Sequence, residues 1–173
     1  HVNHNVRKES EEEELYLKNY CAVNKITFET IKITNYTQNN FENEAREKRY
    51  AFYREVLNKY NSNHLFLAHH GDDLVETVLM KISRGSNIEG YAGIKEVSIV
   101  DNIYIIRPLL YFTKDELIKY NKDNNIKYYI DKTNEDINYT RNKYRKKILP
   151  ILKEEDKNVH LKYLKYSCQL QEY

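Results

Sequence analysis

Apolar residues recur along the chain at two spacings, one typical of amphipathic helices and one typical of strands. Residues 41–60 place aromatic and aliphatic side chains on one side of a helix, whereas residues 26–33 alternate in the manner of a strand. The apolar run Leu65-Phe66-Leu67-Ala68 stops at two histidines, which predicts a buried strand over 65–69. Further helices are predicted over 9–23, 73–83, 113–124, 138–153 and 158–171, and further extended segments over 1–4, 103–110 and 128–130.

Strands that alternate with helices predict an α/β fold with a doubly wound, mostly parallel sheet of the Rossmann-like kind, followed by C-terminal helices. We expect an α/β domain over residues 1–137 and a helical extension over 138–173. In such sheets ligands bind where strands lead into helices.

The composition is that of a globular protein, with 40% hydrophobic and 31% charged residues. The sequence contains no apolar run long enough for a transmembrane helix. Only two cysteines, Cys21 and Cys168, are present and they lie far apart, which argues against a zinc site, an iron–sulfur cluster or a disulfide framework. We therefore expect a cytoplasmic protein with no membrane partner, and homodimer formation stays open.

Charge is distributed unevenly along the chain. The net charge is +2, but residues from 101 onward carry 15 Lys and Arg against 11 Asp and Glu, a net of +4. This excess is concentrated in the run TRNKYRKK at Thr140–Lys147. A basic run of this length is weak support for nucleic-acid binding, because solvated helix faces are often basic too.

Three carboxylates follow the predicted strand over 65–69. Asp72 lies four residues from Glu76 and Asp73 lies three, so the three share a helix face. Asp72 and Asp73 are candidate magnesium ligands, and the alternative is that one of them caps the helix. Of the preceding pair, His69 and His70, only one can face the pocket if both lie on the strand, because neighbouring strand residues point to opposite faces.

Arginines stand at several positions where an anion could be bound. Arg107 ends an apolar strand, and Arg141 lies one helical turn from Arg145, a spacing that suits phosphate recognition. Arg49 could equally belong to a solvated helix face. Arg84 precedes Gly85, whose presence the end of a helix already explains.

Several segments occur in an order that resembles a known family. These are HVNH, EAREKRYAFY, AHHGDDLVETVLMKISRGSNIEGYAGI, IIRPLL and TRNKYRKKILPIL. Together they resemble the catalytic domain of the tRNA(Ile)-lysidine synthetases, which are members of the PP-loop (N-type) ATP pyrophosphatase group with an adenine nucleotide alpha hydrolase-like fold. The resemblance runs from His1 to about Lys153.

The resemblance implies an ATP-dependent ligase that adenylates the wobble cytidine of a CAU-anticodon tRNA(Ile) and then attaches L-lysine to form lysidine. ATP and magnesium are the implied cofactors. The implied roles are catalysis for Asp73, Glu76 and Arg49; substrate or tRNA binding for Arg84, Arg107, Arg141, Asn142 and Arg145; and ATP binding for His1, Val2, Asn3, His4 and His69.

One family motif is absent from the sequence. The phosphate-binding run SGGxDS belongs just upstream of HVNH, and none of the four glycines of this chain can replace it. We therefore expect a fragment of the domain, whose missing strand is supplied elsewhere, is present but absent from this sequence, or is deleted. If it is deleted, we expect weak or no ATP binding. Two alternatives stay open: another PP-loop enzyme such as a tRNA thiolase, and a non-catalytic tRNA-binding fragment.

Overall fold

The computed structural model describes residues 1–6, 9–37, 41–129 and 140–172. Strands lie at Val2–Asn3 (β1), Ile31–Lys32 (β2), His64–Phe66 (β3), Val97–Val100 (β4) and Ile103–Ile106 (β5). Helices lie at Glu9–Val23 (α1), Phe41–Lys59 (α2), Gly71–Arg84 (α3), Ile88–Tyr91 (α4), Lys114–Asp123 (α5), Thr140–Lys147 (α6), Leu149–Glu155 (α7) and Val159–Leu170 (α8), with a 3₁₀ turn at Pro108–Tyr111. The chain divides into two compact units, His1–Asn63 and His64–Tyr173.

The first unit is built on a parallel pair of strands. β1 pairs with β2 through Val2 opposite Ile31 and Asn3 opposite Lys32. A parallel pair needs a crossover connection, and here α1 supplies it. The acidic first turn of α1 complements the helix dipole.

The second unit is built on a three-stranded sheet in the order β3-β5-β4. β3 and β5 are parallel, and α3 lies in the crossover between them, whereas β4 and β5 form an antiparallel hairpin. The hairpin loop consists of Asp101 and Asn102, both with positive φ, which is the conformation of a type I′ turn.

Helices α3 and α8 form the centre of the second unit's core. Leu74 and Val78 of α3 pack with Leu110 of the 3₁₀ turn and Leu164 of α8. Because α3 follows β3, this packing also stabilises the connection between β3 and α3, which we call the corner. No helix among the described residues is both long enough and apolar enough to cross a membrane.

The predicted elements agree with the structure for most helices and less well for strands. The helix over Glu9–Val23 and the capping box of Thr113 with Glu116 are confirmed. The helix predicted over 138–153 is instead two helices, α6 and α7, since Pro150 has no N–H to continue the hydrogen-bond ladder; residues 138 and 139 lie outside the described part.

Three strand predictions need correction. Only Ile31–Lys32 of the segment 26–33 pairs as a strand. The strand over 65–69 is not buried, since Phe66 of β3 is 65% exposed on the sheet face that the core does not use. Residues 128–129 form no strand, and Ile130 lies outside the described residues. β4 was not predicted, although its alternating Val-Ser-Ile-Val and the Asp-Asn turn are ordinary hairpin signals.

Candidate functional site

The corner between β3 and α3 carries the first group of predicted site residues. β3 ends at Phe66, so His69 and His70 lie beyond the strand, and the alternation expected of them does not apply. His70 is the N-cap of α3: its Nδ1 accepts from the backbone N–H of Asp73 at 3.3 Å. The Asp73 carboxylate accepts in return from the backbone N–H of His70 at 3.1 Å. Capping therefore explains one oxygen of Asp73 and leaves the other free for a different partner.

The second oxygen of Asp73 belongs to a network between α3 and α6. Arg141 donates from Nε to Glu76 at 2.8 Å and from Nη2 to Asp73 at 3.0 Å. Arg145 donates from Nε and Nη2 to the two oxygens of Glu76, at 2.6 and 3.0 Å. We call Asp73, Glu76, Arg141 and Arg145 the four-charge cluster. Its two carboxylates and two guanidinium groups balance in charge.

Burial differs strongly within the four-charge cluster. Glu76 is fully buried, the side chain of Asp73 is 14% exposed, and the side chain of Arg141 is 41% exposed. Burial lowers the pKa of Arg145, but its hydrogen bonds to Glu76 and the nearby charges of Glu76 and Asp73 outweigh burial and raise that pKa above its usual range. Glu76 is thus the inner anchor, whereas Asp73 and Arg141 form the edge that a ligand can reach.

Asp72 points to different partners from Asp73. Its Oδ2 accepts from the ammonium of Lys153 in α7 at 2.9 Å and from the backbone N–H of Lys114 at 3.1 Å. Lys114 is the first residue of α5, so this carboxylate satisfies one of the unpaired N–H groups at that helix start. Burial lowers the pKa of Lys153, but the hydrogen bonds that its ammonium donates to Asp72 and Asp115 outweigh burial and raise that pKa. Asp72 therefore joins three helices.

Asp72 and Asp73 are paired with cationic side chains in this structure, and the magnesium site predicted for them stays a prediction. Oδ2 of Asp72 receives an ammonium and Asp73 receives two guanidinium groups, whereas Oδ1 of Asp72 is buried without a hydrogen-bond partner among the described residues. No group of three or more metal-ligating side chains occurs among residues 1–6, 9–37, 41–129 and 140–172. In this structure both carboxylates form ion pairs with arginine or lysine side chains.

Both histidines of the corner are half-buried beside charged groups. Burial lowers the pKa of His69, with Asp73 raising it and Arg107 and Arg141 lowering it further. Burial likewise lowers the pKa of His70, against the opposing effect of Asp73. Both rings therefore favour the neutral form, which lets His70 accept through Nδ1.

The other arginines predicted for this site have separate surroundings. Arg107 donates from Nη1 to the carbonyl of Lys95 at 2.7 Å and to Ser98 Oγ at 3.1 Å, so it holds the β4–β5 hairpin. Arg84 is exposed at the far end of α3, about 16 Å along the helix axis from Asp73. Asn142 is buried on α6. Of the predicted substrate residues, Arg141 and Arg145 meet the carboxylates of α3, and Arg84 does not.

The residues predicted to bind ATP at HVNH lie in the first unit, and they differ in availability. Asn3 is buried and fully engaged: its amide donates to Glu14 at 2.7 Å and its oxygen accepts from Asn5 N. Val2 pairs in the sheet, and the ring of His1 stacks on Phe28. These three side chains therefore stabilise β1.

His4 is the member of HVNH that contacts Tyr36 and lies near Arg49. Its Nδ1 lies 2.6 Å from the hydroxyl of Tyr36, and the two rings are tilted with centroids 6.3 Å apart. Burial lowers the pKa of His4, and the nearby Arg49 lowers it further. Arg49 is half-buried on α2 and also acts on the pKa of Tyr36. His4, Tyr36 and Arg49 thus combine ring faces with a cation within the first unit.

Sequence reasoning missed two residues that shape the corner, Lys153 and His160. Lys153 is the partner of Asp72, and His160 of α8 packs against Gly71 at the start of α3. Both lie more than 80 residues from their partners, and no local pattern announces such contacts. A buried carboxylate does, however, require a cation or hydrogen-bond donors, and that requirement would have prompted a search for a lysine.

The chain is similar to known proteins over nearly its whole length. Residues 1–152 match the family described as the PP-loop domain. The chain is 41% identical to the tRNA(Ile)-lysidine synthase of Bacillus subtilis over 99% of its own length and 38% of that relative. It is 43% identical to the tRNA(Ile)-lysidine synthase of Bacillus cereus, again over 99% of this chain and 37% of that protein. The chain thus spans less than two fifths of the length of these relatives.

A solved structure with the same fold is the U34-tRNA thiolase of Methanococcus maripaludis with its [4Fe-4S] cluster. It superposes with a TM-score of 0.78 over 99% of this chain and 60% of that one, at 15% sequence identity. At this identity the likeness shows the fold alone, and it agrees with the predicted α/β architecture. The family match over residues 1–152 establishes that the chain belongs to the PP-loop domain family.

Proposed function

We propose that this chain is the PP-loop catalytic part of a tRNA(Ile)-lysidine synthase that attaches L-lysine to the wobble cytidine of a CAU-anticodon tRNA(Ile). The observation that carries the proposal is the four-charge cluster, in which the sequence-predicted Asp73, Glu76, Arg141 and Arg145 meet. Relatives 41–43% identical over 99% of the chain bear this name.

The proposed reaction has two steps. The C2 oxygen of the cytidine attacks the α-phosphorus of ATP, which forms the adenylated tRNA and releases pyrophosphate. The ε-amine of lysine then attacks C2, the C2–O bond breaks and AMP leaves with the oxygen. The first step moves negative charge onto the leaving phosphates, and the second requires a lysine amine that has lost its proton.

The four-charge cluster suits charged substrates because its internal pairs can be exchanged. Arg141, at 41% exposure, can turn a guanidinium N–H toward a phosphate or carboxylate oxygen. Oδ1 of Asp73 then keeps only the longer 3.4 Å contact with Arg145, and it can hold the ammonium of lysine until that group deprotonates. Glu76 stays buried with Arg145 and holds the remaining pair in place.

The proposed ATP contacts of this chain lie in its first unit. We assign ATP contact to His4 and Arg49, since a ring and a guanidinium group match an adenine base and a phosphate. ATP would supply the adenylyl group. Magnesium at Asp72 and Asp73 stays a prediction, and no step of the proposal depends on the metal at this pair.

The proposal includes tRNA contact by α6. Arg141 and Arg145 face α3, whereas Lys143 and Lys147 are exposed on the same helix. Exposed lysines contribute to phosphate-backbone affinity without reading sequence. We place the protein in the cytoplasm, where tRNA substrates and ATP are found, and a homodimer is compatible with the proposal.

The full-length protein that contains this chain tests the proposal. We expect AMP release from ATP that requires both lysine and a CAU-anticodon tRNA(Ile), together with a mass increase of the wobble nucleoside equal to lysine minus water. The matched control is the same tRNA transcript with uridine at the wobble position, which should release no lysine-dependent AMP. Tight tRNA binding without lysine-dependent AMP release would favour a non-catalytic binding protein.

The thiolase alternative has less support from this chain. The sequence holds only Cys21 and Cys168, and both are free. Sulfur incorporation into the same tRNA transcript, with no lysine adduct, would favour it over the ligase.

A further inference from the structure

Gly71 opens α3 without any backbone reason to be glycine. Its φ is not among the positive values, which among the glycines belong to Gly85 and Gly93. A Cβ at Gly71 would instead lie 2.7 Å from Cδ2, 2.9 Å from Cβ and 3.0 Å from Cγ of His160. Carbon atoms do not approach so closely, so the missing side chain makes room for the imidazole.

His160 is held in this position by a polar contact. The ring is 2% exposed, and its Nε2 lies 3.1 Å from the carbonyl oxygen of Tyr111. Because a carbonyl only accepts, the N–H of the ring is assigned to Nε2. The same turn receives α3 directly, since Gly71 N donates to the carbonyl of Phe112 at 2.8 Å.

Helix α8 is fixed at further points along its length. Leu164 packs in the core with Leu74 and Leu110, and Ser167 Oγ donates to the carbonyl of Ala92 at 2.5 Å. His160 therefore acts from a fixed support, and the first turn of α3 cannot move toward α8 without displacing that support.

We propose that His160 is a positioning residue: it packs into the space left by Gly71 and fixes the first turn of α3. That turn carries Asp73, and the next carries Glu76, so its placement sets where both carboxylates meet Arg141 and Arg145. The kinetic part of this inference rests on the proposed function, whereas the structural part does not.

Coupling between residues 71 and 160 is the first test, in the full-length protein. We expect Gly71→Ala to speed amide hydrogen exchange in the first turns of α3 by about tenfold, since the added methyl overpacks the contact. The effect should shrink in a His160→Ala background, where only the 2.9 Å Cβ contact remains, and should vanish with His160→Gly. An effect of Gly71→Ala that is the same in all three backgrounds would overturn the inference.

Gly85→Ala is the matched control at the opposite end of α3. Its φ of 74° strains any side chain, but a Cβ there meets nothing within 4 Å. This substitution should therefore cost the same in every residue-160 background. Urea unfolding of each variant shows whether it folds, and a His160→Ala protein that does not fold leaves the His160→Gly pair to decide the outcome.

The kinetic test separates positioning from packing alone. His160→Gln retains an N–H that can reach the carbonyl of Tyr111, whereas His160→Leu retains volume without a donor. We expect lysine-dependent AMP release to keep its kcat within about threefold in His160→Gln and to lose about tenfold in kcat in His160→Leu, with KM for tRNA unchanged in both.

The outcomes distinguish this inference from the proposed function. Coupling between residues 71 and 160 in hydrogen exchange, with no AMP release even from the parent protein, would contradict the ligase proposal. The packing of His160 against Gly71 would still hold. Equal kcat in His160→Leu and His160→Gln, in an active enzyme, would overturn the positioning role.

Discussion

Asp72 and Asp73 are neighbours in sequence with the same side chain, yet they lie in two different electrostatic regions. Asp72 is buried against the ammonium of Lys153 and the start of α5, in a set of contacts that joins α3, α5 and α7. Asp73 caps its own helix and meets two guanidinium groups at an edge that solvent reaches.

The different partners of Asp72 and Asp73 indicate which of the two carboxylates is available to bind a substrate. Removing Asp72 from its partners would leave the N–H of Lys114 without its acceptor and Lys153 with only the exposed Asp115, and that cost ties Asp72 to the fold. Asp73 can exchange a partner, because Arg141 is partly exposed and can form other charge-assisted hydrogen bonds. Adjacent acidic residues can therefore have separate partners and separate roles.

The largest effect on this comparison should come from Glu76→Ala. Both arginines of α6 would lose their buried acceptor, and we expect a loss of about 3 kcal/mol in the free energy of unfolding, at the low end for buried pairs because Arg141 is partly exposed. Urea unfolding measures it. A loss below about 1 kcal/mol would show that the four-charge cluster contributes little to the fold.

The second prediction contrasts the two aspartates directly in stability. Asp72→Asn keeps one oxygen for the Lys114 N–H but removes the charge that pairs with Lys153, and we expect a loss of about 2 kcal/mol. Asp73→Asn should cost about 1 kcal/mol, because its partners keep Glu76 and solvent. The two values come from urea unfolding at pH 7, and the reverse order would contradict the assignment of Asp72 to the fold.

The third prediction concerns pH, with its sign fixed by the two histidines of the corner. Because burial lowers the pKa of His69 and of His70, the unfolded chain binds more protons than the folded one below the ordinary histidine pKa of 6.5. Their contribution to stability is therefore present above pH 6.5 and is lost as pH falls toward the folded pKa values. Urea unfolding between pH 5 and pH 7.5 should give a positive slope that is flatter in a variant with His69→Gln and His70→Asn.

The smallest effect should come from Asp115, the second carboxylate on Lys153. Its side chain is 80% exposed, so Asp115→Asn should change the free energy of unfolding by no more than about 0.5 kcal/mol. The same measurement on Asp72→Asn serves as the comparison. An equal loss in the two variants would mean that the buried position of Asp72 adds nothing to its ion pair.

Most helices and the residues of the four-charge cluster could be predicted from the sequence. The contacts within that cluster could not. The acidic first turn located α1, and the Thr113–Glu116 capping box follows from three-residue spacing, because both depend on local interactions. The pairing of Arg141 and Arg145 with Glu76 depends on contacts across 65 or more residues, which no local pattern encodes. The division of labour between Asp72 and Asp73 was likewise invisible, since it depends on Lys153.

Lysine-dependent AMP release by the full-length protein with Asp72→Asn or Asp73→Asn tests whether Asp73 takes part in catalysis while Asp72 supports the fold. Rates are compared per folded molecule, with the folded fraction taken from the unfolding curve, on a CAU-anticodon tRNA(Ile). We expect Asp73→Asn to lower kcat by about a hundredfold or more, whereas the kcat of Asp72→Asn should stay within about threefold of that of the parent protein. Equal losses in the two variants, or a larger loss for Asp72→Asn, would contradict this expectation.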